Sequence, residues 1–345
     1  RVNFPRPSLP TGHCLVKAVA AMVAVFALAA GVGYWYVDRW NNTPVDLAPD
    51  TTRIVVLSPG ESFSRFASRL ADEGLLRHPA LWARLAQIRG LAKQVKAGEY
   101  QVAAGDTPEV LLNRLLAGDV VTYQVSLIEG WTAMQAVAEL ARDNNLAHEL
   151  DGVTTQTLLG ALGLPGGHGE GLFYPDTYRF VRGDSDADIL RRAHAMMQTQ
   201  LQSFWQQRDP GIPYATPYQA LIVASLIEKE TGQDADRVHI SQVFRRRLEL
   251  GMRLQTDPSV IYGLGQRFDG NLTRPHLRED TPYNTYVHRG LPPTPIALPG
   301  EKSIRAAMHP ADGDFLYFVA RGDGSSQFSR TLDEHLAAVR KYQLR

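Results

Sequence analysis

The stretch "VVLSPGESFSRFASRL" (55–70) aligns without a gap on "YQVAAGDTPEVLLNRL" (100–115). Each copy reads as a short alternating strand, a glycine turn, an acid, a Ser or Thr, and then an apolar stripe at helical spacing. Ser62 and Thr107 carry the short oxygen side chains that accept from the first free N–H groups of a helix. Pro108 stands at the first helical position, where its missing N–H costs nothing. A weaker third copy, "VSLIEGWTAMQAVAEL" (125–140), has Gly130 and Thr132 in matching places. The first two copies predict one small β-α unit around a helical insert at 79–95. The motif is generic, so chance similarity is the competing explanation.

Upstream, residues 18–37, "AVAAMVAVFALAAGVGYWYV", carry no charge. Twenty apolar residues in a helix span about 30 Å, the thickness of a bilayer's hydrocarbon core. Arg1, Arg6 and Lys17 precede the run with no acid among them, and Asp38, Arg39, Asp46 and Asp50 follow it. Basic flanks stay in the cytoplasm, so the bulk of the chain is expected outside it. Tyr34, Trp35, Tyr36 and Trp40 stand where an interfacial aromatic belt would. The alternative is a cleaved signal peptide, with "ALA" (27–29) as its cleavage site. The expected organisation is a cytoplasmic tail at 1–17, a transmembrane helix at 18–37, a polar linker at 38–52, a small β-α subdomain at 53–122 and a larger mixed domain at 123–345. The sequence does not start with Met, so its numbering is expected to begin inside a longer or processed chain.

The chain has 345 residues and equal numbers of basic and acidic side chains, so its formal net charge is zero. That removes the basic stripe a nucleic-acid partner would need. Arg245, Arg246 and Arg247 form a short basic run, expected on the solvated face of a helix. The one cysteine, Cys14, excludes an internal disulfide. It also precedes the apolar run, whereas a lipoprotein cysteine follows one.

Downstream, 150–170 is glycine-rich and reads as a loop with one short helix. "EGLFYPDTYRF" (170–180) gathers four aromatics around Pro175 and Asp176. Helices are expected at 186–207 and 217–230, the second opened by Thr216, Pro217 and Gln219 as a capping box. Another runs over 235–250 and stops at Gly251. A strand at 315–320, a glycine turn at 322–324 and "QFS" form a hairpin, and a last helix starts at Thr331 with Glu334 completing its box. Strands and helices without regular βαβ alternation predict an α+β fold.

No phosphate-binding G-x-x-x-x-G-K, zinc-binding H-E-x-x-H, G-x-S-x-G elbow or S-x-x-K is present. His276, His288 and His309 lie in loops without ligand spacing and read as surface residues. Neither metal nor cofactor is expected, and carboxylate chemistry is what remains. "LIVASLIEKETG" (221–232) is the stretch that offers it, with Glu228 and Glu230 at the end of an apolar helix. Two residues apart, they project about 200° from each other, so they cannot work as a pair. Glu228 shares a face with Leu221, Ala224 and Ser225, whose small side chains leave room for a ligand. Apolar surroundings would raise its pKa and make it a general acid near neutral pH. The alternative is a buried glutamate tied down by an Arg or by backbone N–H groups. Glu230 is expected to pair with an arginine such as Arg237, so that Glu230→Gln weakens the fold. "GMRLQTDPSVIYGLG" (251–265) offers Gln255, Thr256 and Asp257 before a Pro258-started helix, with an N-cap as the alternative role of Asp257. "YNTYVHRGLPPTPIALPG" (283–300) is a Pro/Gly loop carrying Asn284, Tyr286 and His288. Aromatics and amides on a rigid loop suit a sugar site.

Together, "ASLIEKETG" (224–232), "GMRLQTDPSVIYGLG", "EGLFYPDTY" and "YNTYVHRGLPPTPIALPG" closely resemble the endolytic murein transglycosylase, or YceG-like, family, over nearly the whole chain. Where that family often reads "GLPPGPI", Thr294 replaces the glycine. The small β-α unit resembles a LysM-type glycan-binding module. The resemblance implies an inner-membrane, single-pass lytic transglycosylase that cuts MurNAc–GlcNAc β-1,4 bonds inside nascent strands. It leaves 1,6-anhydro ends and associates with peptidoglycan synthases. The family's catalytic glutamate maps onto Glu228, with Gln255, Asp257, Asn284 and Tyr286 as candidates for positioning the sugars. Competing readings are a two-carboxylate muramidase, with Glu170, Asp176 or Asp257 as second acid, and a non-enzymatic glycan-binding scaffold.

Overall fold

The computed structural model describes residues 12–343, and side chains from residue 16 onward. Arg1, Arg6 and the side chain of Cys14 lie outside the described residues. The chain divides into two compact units, Arg1–Val121 and Thr122–Arg345.

The first unit begins with α1 (Gly12–Asn41), which runs unbroken through residues 27–29. From Val16 onward it is long and apolar enough to cross a membrane, and its apolar side chains are exposed, Phe26 by 78%. Its last turn is different: Trp40 and Asn41 are buried. The Asn41 amide donates to Glu109, and Val45 N–H donates to the Asp106 carbonyl. The segment expected as a polar linker is packed down where it leaves the helix, because Trp40 and Val45 carry apolar surface the unit can bury.

The repeated stretches form β1 (Thr52–Leu57) with α2 (Phe63–Asp72), and β2 (Gly98–Ala103) with α4 (Pro108–Ala117); α3 (Pro79–Ile88) lies between them. The strands pair antiparallel, Val55 opposite Tyr100. Inward Val55, Leu57, Tyr100 and Val102 close on Phe63, Phe66, Trp82 and Leu115. Bond for bond the two copies agree. Ser62 caps α2 and Thr107 caps α4. Glu61 accepts from Ser58 N–H and pairs with Arg69, while Asp106 accepts from Ala103 N–H and pairs with Arg114. Arg69 also donates to the Val56 carbonyl and Arg114 to that of Gln101. Chance similarity would not reproduce four bonds at one offset.

The third copy belongs to the second unit. There Trp131 and Glu139 stand in place of the acid and the arginine, so that bracket is missing. Its strand β3 (Tyr123–Ser126) pairs antiparallel with β4 (Thr177–Phe180), and Thr132 caps α5 (Ala133–Leu140) with a full capping box. The short α6 (Leu158–Ala161) precedes β4. Then come α7 (Asp186–Gln206), α8 (Pro217–Glu230), α9 (Asp234–Glu249) and α10 (Asp257–Leu264). After them follow α11 (Glu301–Met308), the antiparallel hairpin β5 (Tyr317–Ala320) and β6 (Ser326–Ser329), and α12 (Leu332–Tyr342).

α8 is the axis of this unit. Every residue from Ala220 to Ile227 is buried, and α7, α9, α10 and α11 pack around it. A helix apolar on all sides belongs inside. Each of its large aliphatic side chains contributes about 1.5–3 kcal/mol by leaving water. Thr216 caps it, but Gln219 reaches past the cap to Ala215 N–H, so the expected capping box is only half formed. The α+β class is as expected.

Candidate active site

Glu228 sits in the last turn of α8, and its side chain is 7% exposed. One carboxylate oxygen accepts from Gly300 N–H at 3.0 Å, and the other faces the Arg237 guanidinium at 3.7 Å. Arg237, buried in the first turn of α9, also donates to the Thr231 carbonyl and the Ser303 hydroxyl. The expected pairing is thus exchanged: Arg237 faces Glu228, not Glu230. The reason is the turn at 231–233, which folds α9 back so that its first turn meets the Glu228 side of α8. Ala224 and Ser225 do not leave room for a ligand either. Both are fully buried, and the Ser225 hydroxyl accepts from Ile296 N–H at 3.0 Å. Their small size admits the proline-rich loop instead.

That loop lines up with the β3–α5 connection. Gly130 N–H donates to the Leu298 carbonyl, and Leu298 N–H donates to that of Trp131. Lys229 reaches the Gly130 carbonyl at 3.1 Å. The pairing carries Glu129 to Glu228. The Glu129 carboxyl rests on Gly300, in the space any side chain there would need. Burial, and then the charge of Glu228, lift Glu129 above the usual carboxylate range; Arg237 and Lys302 act against the rise.

Glu230 points to the other side of α8, towards Thr256, Asp257 and Arg247. Burial pushes its carboxyl up to about 7, with Asp257 adding to the rise and Thr256 and Arg247 opposing it. Arg247 is not on a solvated face. It is buried, donating to the carbonyls of Leu254 and Leu316, while Arg245 and Arg246 pair with Glu249 at the surface.

Of the four expected sugar contacts, three have side chains within reach of solvent or of each other. Gln255 is exposed and held at φ 50, a left-handed conformation rare for a residue with a side chain. Asp257 is the first residue of α10, and Thr256 occupies the N-cap position. Its carboxylate accepts from the Tyr286 hydroxyl at 2.6 Å. Asn284 is different. It is fully buried, its amide donates to the carbonyls of His276 and Glu279, and its oxygen accepts from Tyr286 N–H. With all its polar atoms used on backbone, Asn284 braces the loop and presents nothing to a sugar. His276 opens a short turn, His288 pairs with Asp280, and His309 pairs with Asp209. Among the described residues, no group of three or more His, Cys, Asp and Glu side chains is gathered to hold a metal ion.

The profile of the YceG-like family matches residues 55–341. This chain belongs to the YceG-like family. A Bacillus subtilis protein named endolytic murein transglycosylase is 31% identical over 320 residues, covering 87% of each chain. A protein of the same name from Streptococcus pneumoniae is 25% identical, covering 94% of this chain and 64% of its own length. The 2.6 Å crystal structure of a YceG-like protein from Listeria monocytogenes superposes with a TM-score of 0.52 at 29% identity, covering 83% of this chain and 99% of that one.

In this YceG-like chain, sequence reasoning picked three acids as possible partners of Glu228, and the geometry brings up a fourth. Asp176 is exposed and accepts from its own neighbour, Thr177 N–H. Asp257 is taken up by Tyr286. Glu170 is almost wholly buried, accepting from Ala133 N–H at 2.8 Å and from the Tyr262 hydroxyl at 3.1 Å. Burial pushes it up to about 7. Glu129 is the acid whose charge is coupled to that of Glu228. The one signal in the sequence was its place in the third repeat copy, just before the turn glycine.

Proposed function

We propose that this chain is a membrane-anchored endolytic lytic transglycosylase of peptidoglycan, with Glu228 as its catalytic carboxylate. It would cut the β-1,4 bond between MurNAc and GlcNAc within nascent strands and leave 1,6-anhydro ends. The observation that carries this reading is the family membership, with a relative of that name matching along 87% of both chains. A muramyl 6-hydroxyl attacking its own C1 needs no enzyme nucleophile and no water, and gains from proximity. The protein then has to protonate the leaving oxygen and take up the hydroxyl proton. Both fall to Glu228, acid first and base second. Ordinary glycosidases need a second carboxylate for water or for a covalent intermediate. Gln255, Asp257 and Tyr286 are proposed to position the sugars.

The apolar helix is read as a single-pass anchor in the inner membrane, with its N-terminal end cytoplasmic and the chain from residue 38 onward outside. Lys17 before the run and Asp38 after it support that orientation. The strand–helix–helix–strand of the first unit is read as a LysM-like module touching glycan, and synthases that polymerise glycan are the expected partners.

Digestion of purified peptidoglycan followed by mass measurement tests the reaction. Products one water lighter than reducing ends are expected, with no products from Glu228→Gln. Reducing ends would point to the muramidase, which the nearness of Glu129 to Glu228 makes the specific alternative. No cleavage at all, from a protein that binds strands, would leave the scaffold.

A further inference from the structure

Glu228 and Glu129 arrive from different parts of the chain and meet at one residue, Gly300. Glu228 comes from the end of α8 and takes the Gly300 N–H. Glu129 comes from the β3–α5 connection and lies over the Gly300 α-carbon, where a Cβ would collide with its carboxyl. Two facts make the arrangement more than a surface contact. Gly300 has an ordinary backbone, φ −78, so glycine is needed there for space rather than for conformation. The partners of Glu228, Arg237 and the Gly300 N–H at the start of α11, both suit a carboxylate rather than a carboxylic acid. A site that must deliver a proton to a leaving oxygen needs something to oppose them.

We propose that Glu129 is a positioning residue of the reaction, sharing one proton with Glu228 across Gly300 so that the pair meets substrate singly protonated. Two carboxyls that converge on one glycine repel each other when both are charged, and their protons then come off in steps that belong to the pair. The upward displacement of Glu129, part of it from the Glu228 charge, fits this coupling. The other groups facing Glu129 are Arg237 and Asp234 from α9, Lys302 from α11 and Tyr174 from the stretch before β4. Asp234 is itself paired with Lys302 and Arg237. Glu129 is partly buried but more exposed than the nearly enclosed Glu228, so Glu129 is the member that exchanges protons with water.

The role rests on the transglycosylase reading. One proton passes from the pair to the glycosidic oxygen as the bond from C1 to that oxygen breaks. The bond from the 6-oxygen to C1 forms, and the 6-hydroxyl proton returns to the pair. Nothing is consumed, and the pair is restored for the next cut.

The test is the pH profile of anhydro-end release by the full chain in detergent. Wild type, Glu129→Gln and Glu129→Asp are compared, each with its folding checked by thermal melting. Without the like charge of Glu129, the last proton of the site is released at lower pH. The alkaline limb of Glu129→Gln is therefore expected about one pH unit lower, a tenfold loss on that limb. Glu129→Asp should bring the limb back towards wild type. Rates lowered equally at every pH, with the limb unmoved, would overturn the idea and leave Glu129 a structural role. The reciprocal measurement needs no turnover and covers the case in which Glu129→Gln does not fold. With 13C-labelled glutamate, the Glu129 carboxyl should titrate at lower pH in Glu228→Gln than in wild type. An unchanged titration would equally overturn the coupling. Reducing ends from the wild type would sink the transglycosylase reading while leaving that titration to decide the pair.

Discussion

Two glutamates two residues apart, Glu228 and Glu230, have opposite surroundings. Glu228 faces Arg237, the Gly300 N–H and Glu129, whereas Glu230 faces Thr256, Asp257 and Arg247. Glu228→Gln should abolish release of products with little change in folding. For Glu230 and Glu170 the expectation concerns stability and pH. Both carboxyls are raised to about 7 by burial, against 4.5 for the free side chain. A group raised on folding contributes its stability fully below the unfolded value and loses it as pH rises through the folded one. Between pH 5 and pH 8 each therefore costs the fold up to about 3 kcal/mol. Glu170→Gln removes that cost. Its melting temperature relative to wild type should be higher at pH 8 than at pH 5, and an equal difference at both would show that the carboxyl is already ionised. The same argument gives the expected weakening of the fold by Glu230→Gln a pH dependence. The loss should be smaller at pH 8 than at pH 5.

At the scale of elements, most of what formed was legible because it is local. Ser62, Thr107, Thr132 and Thr331 cap the helices they were expected to cap, since a side-chain oxygen three residues before a free N–H needs no other part of the chain. Thr216 was legible only in part, because Gln219 has Ala215 as an equally near partner. The proline-rich loop was not legible. Its course depends on the Ser225 hydroxyl, which holds Ile296 from a distance of 71 residues in sequence. Ser225→Ala leaves that buried N–H without a partner, which costs about 1–3 kcal/mol. Because Gly300 lies on the same loop, the variant should also lower turnover, read as a fall in kcat at saturating glycan. Destabilisation with unchanged kcat would separate the loop's fastening from the geometry of residue 300.

For the whole molecule, the distribution of charge and apolar surface makes a claim that α1 can test. Its side chains are exposed through twenty-odd apolar positions, which water does not tolerate cheaply. The full chain should sediment with membranes and stay there in high salt. Removal of residues 1–38, which leaves buried Trp40, Asn41 and Val45 in place, should give a soluble protein that still cuts isolated peptidoglycan. A truncated protein that is soluble but inactive on isolated strands would mean that the anchor takes part in the site.

The sequence by itself determined what depends on neighbours along the chain. Those features are the apolar run, the repeated strand–turn–helix, the caps, the family motifs, and the fact that Glu228 and Glu230 face apart. Tertiary structure alone decided who meets whom. It exchanged the arginine partner, spent Asn284 and Ser225 on holding a loop, buried Arg247, and set Glu129 beside Glu228. The physical reason is that a carboxylate's chemistry depends on charges and N–H groups within a few ångströms. For Glu228 those come from residues 129, 237 and 300, which the sequence keeps far apart and only the folding of α8, α9 and the proline-rich loop against one another brings together.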